Sequence, residues 1–186
     1  MTDPLDQLVG LLDLEQIEVN LFRGFSPKER MVRVFGGQVL GQALVAASRT
    51  VEDREAHSLH GYFLRPGDPE IPIIYDVDRI RDGKSFTTRR VNGIQHGKAI
   101  FSMSVSYQIS EEGLDHQSTM PDVPMPEDLK SEQDLRADIM DKIPEKYRAW
   151  YSRERPVEIR PVNPHDPTDP PIRDAAKNVW FKARHE

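Results

Sequence analysis

His57, Ser58 and His60 place an imidazole on either side of a hydroxyl, the residue types of a nucleophile activated by a base. An extended chain would turn Ser58 and His60 to one face and His57 to the other. No third group at a fixed spacing orients either ring, so pocket-lining or structural histidines are favoured, with His57 kept as the candidate for catalysis. Asp68 stands in Pro66-Gly67-Asp68-Pro69 with no histidine close behind it and reads as a turn residue. The pair Gly36-Gly37, at the start of an apolar helical pattern, could present free backbone N–H groups to a carbonyl or a phosphate, or could merely allow a tight entry into the helix. Arg79, Arg81, Lys84, Arg89, Arg90 and Lys98 form a basic set suited to phosphate groups or, equally, to the solvated side of a sheet. The candidate substrate contacts are Gly36, Gly37, Gln38, Arg65 and Arg89. No spaced cluster of His, Asp and Glu suggests a metal, and no nucleotide-binding glycine motif is present, so no cofactor is implied.

The element that must position these residues is the stretch from Val34 to Arg49. Leu40, Leu44, Ala47 and Val51 recur at the spacing of one helix face, while Val39, Ala43 and Ala46 leave only Gln38, Gln42 and Ser48-Arg49 for water or a polar partner. A helix apolar nearly all round is a buried one, and its small residues admit another backbone close by. A short amphipathic helix is expected before it, with Asp3 as cap and Pro4 in the first turn, then one strand from Glu15 to Phe25. After the charged loop Glu52-Asp53-Arg54-Glu55 come strands at Ser58–Arg65, Ile71–Arg79 and Ser85–Ile94, with Asp82-Gly83 as a hairpin connection. The last, with Phe101, Met103, Val105 and Tyr107 alternating with Ser102, Ser104, Ser106 and Gln108, has an unbroken period of two. One long helix and a run of antiparallel strands predict an α+β fold in which a curved sheet wraps the helix.

Composition limits the partners. The chain has 186 residues, 37% hydrophobic and 30% charged, which fits one ordinary domain or one domain and part of another. Its net charge of −6 argues against a nucleic-acid surface. The absence of cysteine removes disulfides, thiolate metal sites and a cysteine nucleophile. No apolar run is long enough to span a bilayer, and Met1-Thr2-Asp3-Pro4 does not begin a signal peptide, so a soluble cytoplasmic protein without membrane contact is expected.

Several ordered motifs resemble bacterial acyl-CoA thioesterase II. They are Phe35-Gly36-Gly37-Gln38-Val39-Leu40-Gly41-Gln42-Ala43, the run from His57 to Asp68, Pro72-Ile73-Ile74-Tyr75-Asp76-Val77, Arg81-Asp82-Gly83-Lys84-Ser85-Phe86, Val157–Val162 and Val179–Ala183. The resemblance implies a hotdog fold, two such units in one polypeptide, and hydrolysis of fatty acyl-CoA to free acid and coenzyme A. It also implies an acyl-CoA partner, pairing into a homo-oligomer through hotdog sheets, and a catalytic Asp, Ser or Thr, and Gln in the second hotdog.

On this reading residues 1–110 are the first hotdog, 111–156 an acidic, proline-containing connector, and 157–186 the first strands of an incomplete second hotdog. Ser131 and Asp134 suggest a capping box before Leu135, Ile139 and Ile143, and Tyr147, Trp150 and Tyr151 are available to pack the connector onto the first sheet. Strands are expected at Val157–Val162 and Asn178–Arg184, with a loop from Pro164 to Pro171 between them. None of the family's catalytic motifs is matched, so this chain alone is expected to be weak or inactive. The alternative is a non-catalytic acyl-CoA-binding or scaffolding module.

Overall fold

The computed structural model describes residues 3–27, 32–165 and 171–184; Met1-Thr2, the middle of the expected 164–171 loop and His185-Glu186 lie outside them. The chain divides into two compact units, residues 9–114 and residues 1–8 with 115–186. Helix α1 (Pro4–Leu12) opens the chain, with the Asp3 carboxylate accepting from Leu5 N–H at 2.7 Å, as the cap in the sequence predicts.

The larger unit is a six-stranded antiparallel sheet around one helix. Its strands are β1 (Glu15–Glu18), β2 (Leu21–Gly24), β3 (Glu55–Phe63), β4 (Ile73–Asp82), β5 (Phe86–Gln95) and β6 (Lys98–Gln108), in the order β1-β2-β4-β5-β6-β3. The expected single strand over Glu15–Phe25 is instead a hairpin. The chain reverses at Val19-Asn20, and Asn20 C=O accepts from Val77 N–H at 2.9 Å, which ties the turn to β4.

Helix α2 (Gly36–Ser48) lies on the sheet face formed by Phe22, Ile73, Tyr75, Val77, Val91, Phe101, Met103, Val105 and Tyr107. The side it buries is Val39, Gln42, Ala43, Ala46 and Ala47, while Leu40 and Leu44 are only partly covered. The alanines have no accessible surface, so sheet and helix approach as closely as their backbones allow.

Gln42, expected on the polar side, is wholly buried. Its Nε2 donates to Leu11 O at 2.7 Å and Phe25 O at 3.0 Å, and its Oε1 accepts from Tyr75 O–H at 2.8 Å. One amide therefore joins α1, the end of β2 and β4 to the central helix. A Cβ on Gly24 would come within 2.5 Å of that Oε1, so glycine is needed there for the amide to fit. Burial also pushes the Tyr75 phenol far above its ordinary pKa, keeping it a neutral donor.

The second unit is built from α3 (Glu132–Asp138), α4 (Glu145–Tyr151) and a two-stranded antiparallel sheet, β7 (Val157–Pro161) and β8 (Val179–Ala183). The capping box is formed, with Asp134 N–H donating to Ser131 Oγ and Ser131 N–H to the Asp134 carboxylate, both at 3.2 Å. Trp150 and Tyr151, which the sequence offers to the first sheet, lie over Arg136 of their own unit at 5.9 and 5.8 Å. With Leu135, Ile139, Ile159 and Val179 they line a cavity of about 640 Å³.

Replacing Gln42 by leucine should cost about 3–5 kcal/mol in urea unfolding, because the Leu11 and Phe25 carbonyls and the buried Tyr75 hydroxyl lose their hydrogen bonds together; Tyr75→Phe, which removes one, should cost about 1 kcal/mol. Equal losses would mean that the amide is not the shared partner.

Candidate functional site

The two ends of α2 are built differently. At its C-terminus Ser48 is followed by Arg49 and Thr50, and Thr50, just past the helix end, meets a buried cation. Arg89, inward-facing on β5 and almost without accessible surface, donates from Nε to Thr50 Oγ1 at 2.8 Å and from Nη2 to Thr50 O at 3.0 Å and to the Asp82 carboxylate at 2.6 Å. Its Nη1 donates to Arg81 O at 3.2 Å and Thr88 O at 3.1 Å. The positive guanidinium thus sits where the helix dipole is negative. This corrects the reading of Arg89 as a substrate contact: every nitrogen of the group is used inside the fold.

At the N-terminus nothing comparable among the described residues closes the helix. Phe35 caps α2 with no side-chain hydrogen bond, and Gln38 and Val39 N–H both reach Phe35 O. Among the described residues the N–H groups of Gly36 and Gly37 have no acceptor. Two exposed rings flank them. Phe35, 65% exposed, folds back over Gly37, and Phe63, 60% exposed, lies against Gly36, where an added Cβ would meet the ring at 3.0 Å. Phe63 is held in turn on Phe101, ring centroids 4.9 Å apart. Gln38 spends its amide locally, Nε2 donating to Phe25 O at 3.1 Å and Ser26 Oγ at 3.2 Å, so it fixes the chain beside the helix start.

Arg65 follows Phe63 by two residues and belongs to the same end. Its backbone N–H donates to Ile100 O at 3.2 Å and its Nη1 to Ala99 O at 2.5 Å. The adjoining turn is pinned by Gln95, whose Oε1 accepts from Asp68 N–H at 2.8 Å and whose Nε2 donates to Asp68 O at 2.9 Å and Ile71 O at 2.7 Å. Asp68 is therefore a turn residue. Gly36, Gly37, Gln38 and Arg65 are brought together, and Arg89 is not.

His57 lies elsewhere. A bulge between Ala56 and Ser58 breaks the expected alternation, and the ring reaches Ser106 Oγ at 2.9 Å while standing edge-on to Phe86. From His57 to Phe63 the strand advances about 20 Å at ~3.3 Å per residue, too far for this imidazole to serve a group bound at Gly36 and Gly37. The basic set is also dispersed: Arg79 donates to Asn20 Oδ1 at 2.8 Å, Arg90 pairs with Asp78 at 2.8 Å, and only Lys98 approaches the N-terminal end of α2. Sequence reasoning missed Phe35 and Phe63 as walls. Their signal is that both adjoin the glycine pair or the Arg65-Pro66-Gly67 turn.

Residues 26–108 match the model of the acyl-CoA thioesterase N-terminal domain. The chain is 41% identical to acyl-CoA thioesterase 2 of Haemophilus influenzae over its whole length and 65% of that relative. Along its whole length the chain is similar to acyl-CoA thioesterases, with the N-terminal domain of that family matched over residues 26–108. It is also similar to the crystal structure of acyl-CoA thioesterase II TesB2 from Mycobacterium marinum, at 42% identity and a TM-score of 0.70, covering 95% of this chain and 60% of that one. A hot dog fold protein from Alicyclobacillus acidocaldarius matches with a TM-score of 0.71 at 20% identity, covering 99% of this chain and 64% of that one, which speaks to fold alone. The unit around α2 is a hotdog. The chain spans 60–65% of the length of the family members named here.

The Arg89–Asp82 pair gives the closed end a pH signature. The hydrogen bond from Arg89 holds the Asp82 carboxyl below its ordinary pKa of 3.8. A carboxylate whose pKa is depressed by folding stabilises the fold above its unfolded pKa, and that contribution is lost as pH falls through the folded value. Asp82→Asn should therefore lower the unfolding midpoint at pH 7 and flatten its decline below about pH 4. A variant with the wild-type acid profile would show that Asp82 does not hold Arg89.

Proposed function

We propose that this chain supplies a substrate-binding hotdog of an acyl-CoA thioesterase, acting in the cytoplasm on fatty acyl-CoA. The observation that supports this most strongly is the start of α2, where the N–H groups of Gly36 and Gly37, without an acceptor among the described residues, stand beside the exposed rings of Phe35 and Phe63. A thioester carbonyl is an acceptor for such N–H groups, and the positive end of the helix favours the charge that develops on its oxygen. Phenyl rings are suitable cover for an acyl chain. In the reaction, water oxygen adds to the carbonyl carbon, the C–S bond breaks, and sulfur leaves as the thiol of coenzyme A.

Activating that water needs a base, and the described residues place none beside Gly36 and Gly37. His57 pairs with a hydroxyl but with no carboxylate, at the far end of its strand. The family resemblance assigns this chemistry to an Asp, a Ser or Thr, and a Gln of a second hotdog, and no stretch of this chain matches the motifs that carry them.

The edge of the sheet favours a second, non-catalytic reading beside the first. β3 ends the strand order, and Leu59, Tyr62 and Phe63 are exposed on it with neither Lys nor Pro to discourage pairing. We infer that the sheet continues across this edge in a homo-oligomer, so that the chain can act as a binding and assembly module.

The purified chain should bind a non-hydrolysable decanoyl thioether of coenzyme A saturably, yet release little thiol from decanoyl-CoA. Absence of saturable binding would overturn the substrate assignment. Turnover in the ordinary enzymatic range of about 1–10³ s⁻¹ would place a complete catalytic set within these residues.

A further inference from the structure

Four cations of the hotdog unit are neutralised where they stand. Arg23 pairs with Glu15, Arg49 with Asp13, Arg90 with Asp78, and buried Arg89 with Asp82. Arg33, Arg65 and Lys98 differ. All three are exposed, and among the described residues none has a carboxylate within ion-pair distance; Arg79, Arg81 and Lys84 also lack one, but Arg79 lies at the β1–β2 turn and the other two lie on the Arg89 side of the unit.

The backbone gathers these cations at one end. Val34, next to Arg33, donates its N–H to Gly67 O at 3.0 Å, two residues past Arg65. Leu64 and Arg65 N–H both donate to Ile100 O, and Arg65 Nη1 reaches Ala99 O, the neighbour of Lys98. Val34 and Ile100 also close on Gly67, at 3.1 and 3.2 Å from where its Cβ would stand. The nearby acids do not cancel this charge directly: Asp68 Oδ1 accepts from Glu70 N–H at 2.9 Å inside its own turn, and Glu70 has no cation within ion-pair distance among the described residues. Arg65 has five N–H donors and uses one nitrogen on Ala99, leaving most of its fork available.

We propose that Arg33, Arg65 and Lys98 anchor the phosphate groups of the coenzyme A half of the substrate; this rests on the acyl-CoA reading above. Coenzyme A carries its thioester at one end of a long arm and its diphosphate and 3′-phosphate at the other. A cationic rim beyond the reacting end therefore suits it, and the forked guanidinium matches phosphate oxygens in pairs. Three cations in a chain of net charge −6 fit a small polyanion and are too few for nucleic acid.

The test is calorimetric titration of the full chain with free coenzyme A and with 3′-dephospho-coenzyme A, so that binding is read without hydrolysis. Arg33→Gln and Lys98→Gln, which break no side-chain hydrogen bond among the described residues, should each weaken coenzyme A about tenfold, the scale of a lost charge-assisted contact. Loss of the 3′-phosphate should weaken it similarly. Arg79→Gln, which removes the same charge from the β1–β2 side of the sheet, should leave affinity within about twofold on the same scale. No saturable binding of coenzyme A, equal losses for Arg79→Gln, or indifference to Arg33 and Lys98 would each overturn the anchor. Thiol release with coenzyme A affinity indifferent to these cations would remove the anchor alone. Selective losses with no hydrolysis in any assembly would remove the thioesterase reading and leave the anchor standing.

Discussion

The amide of Gln42 is the contact on which the geometry of the hotdog unit depends. A primary amide buried without partners would be costly, so the core tolerates it only while Leu11 O, Phe25 O and the Tyr75 hydroxyl all stand in place. Those groups come from three separate segments. Satisfying them together fixes where α1 ends, where the chain leaves β2, and how far α2 slides along β4. The small residues Ala43, Ala46 and Ala47 make the close approach possible, and Gln42 selects one position within it.

With the helix fixed, its two ends can serve opposite purposes. Arg89 meets the negative C-terminal end through Thr50 and is anchored outward by Asp82. That end is finished within the fold. At the N-terminal end the N–H groups of Gly36 and Gly37 find no acceptor among the described residues, with rings on both sides and a turn pinned by Gln95 beyond them. A helix whose positive end alone is left open offers its field to something that arrives from outside.

Much of the frame is legible in the residues. Phe101, Met103, Val105 and Tyr107 show their face by alternation, the glycine pair marks the start of α2, and Ser131 with Asp134 forms the cap its spacing announces. The site is less legible because it depends on contacts distant in sequence. Gln42 looks like a surface residue until Tyr75 supplies its acceptor's donor. Arg89 sits in an inward row of Thr87, Arg89, Val91, Gly93 and Gln95 that has one large apolar member, so nothing in hydrophobicity marks the face as buried. The bulge at His57 undoes a facing argument that assumed a regular strand, and the hairpin at Asn20 is hidden by apolar residues on both sides of it.

Amide chemical-shift mapping of the full chain with a decanoyl thioether of coenzyme A tests the open end of α2 most directly. If ligand enters there, the largest shifts fall on Phe35, Gly36, Gly37, Phe63 and Leu64, while Thr50, Asp82 and Arg89 stay unmoved. Shifts centred on the Arg89 end, or on Trp150 and Ile159 around the cavity of the second unit, would contradict the assignment of the site.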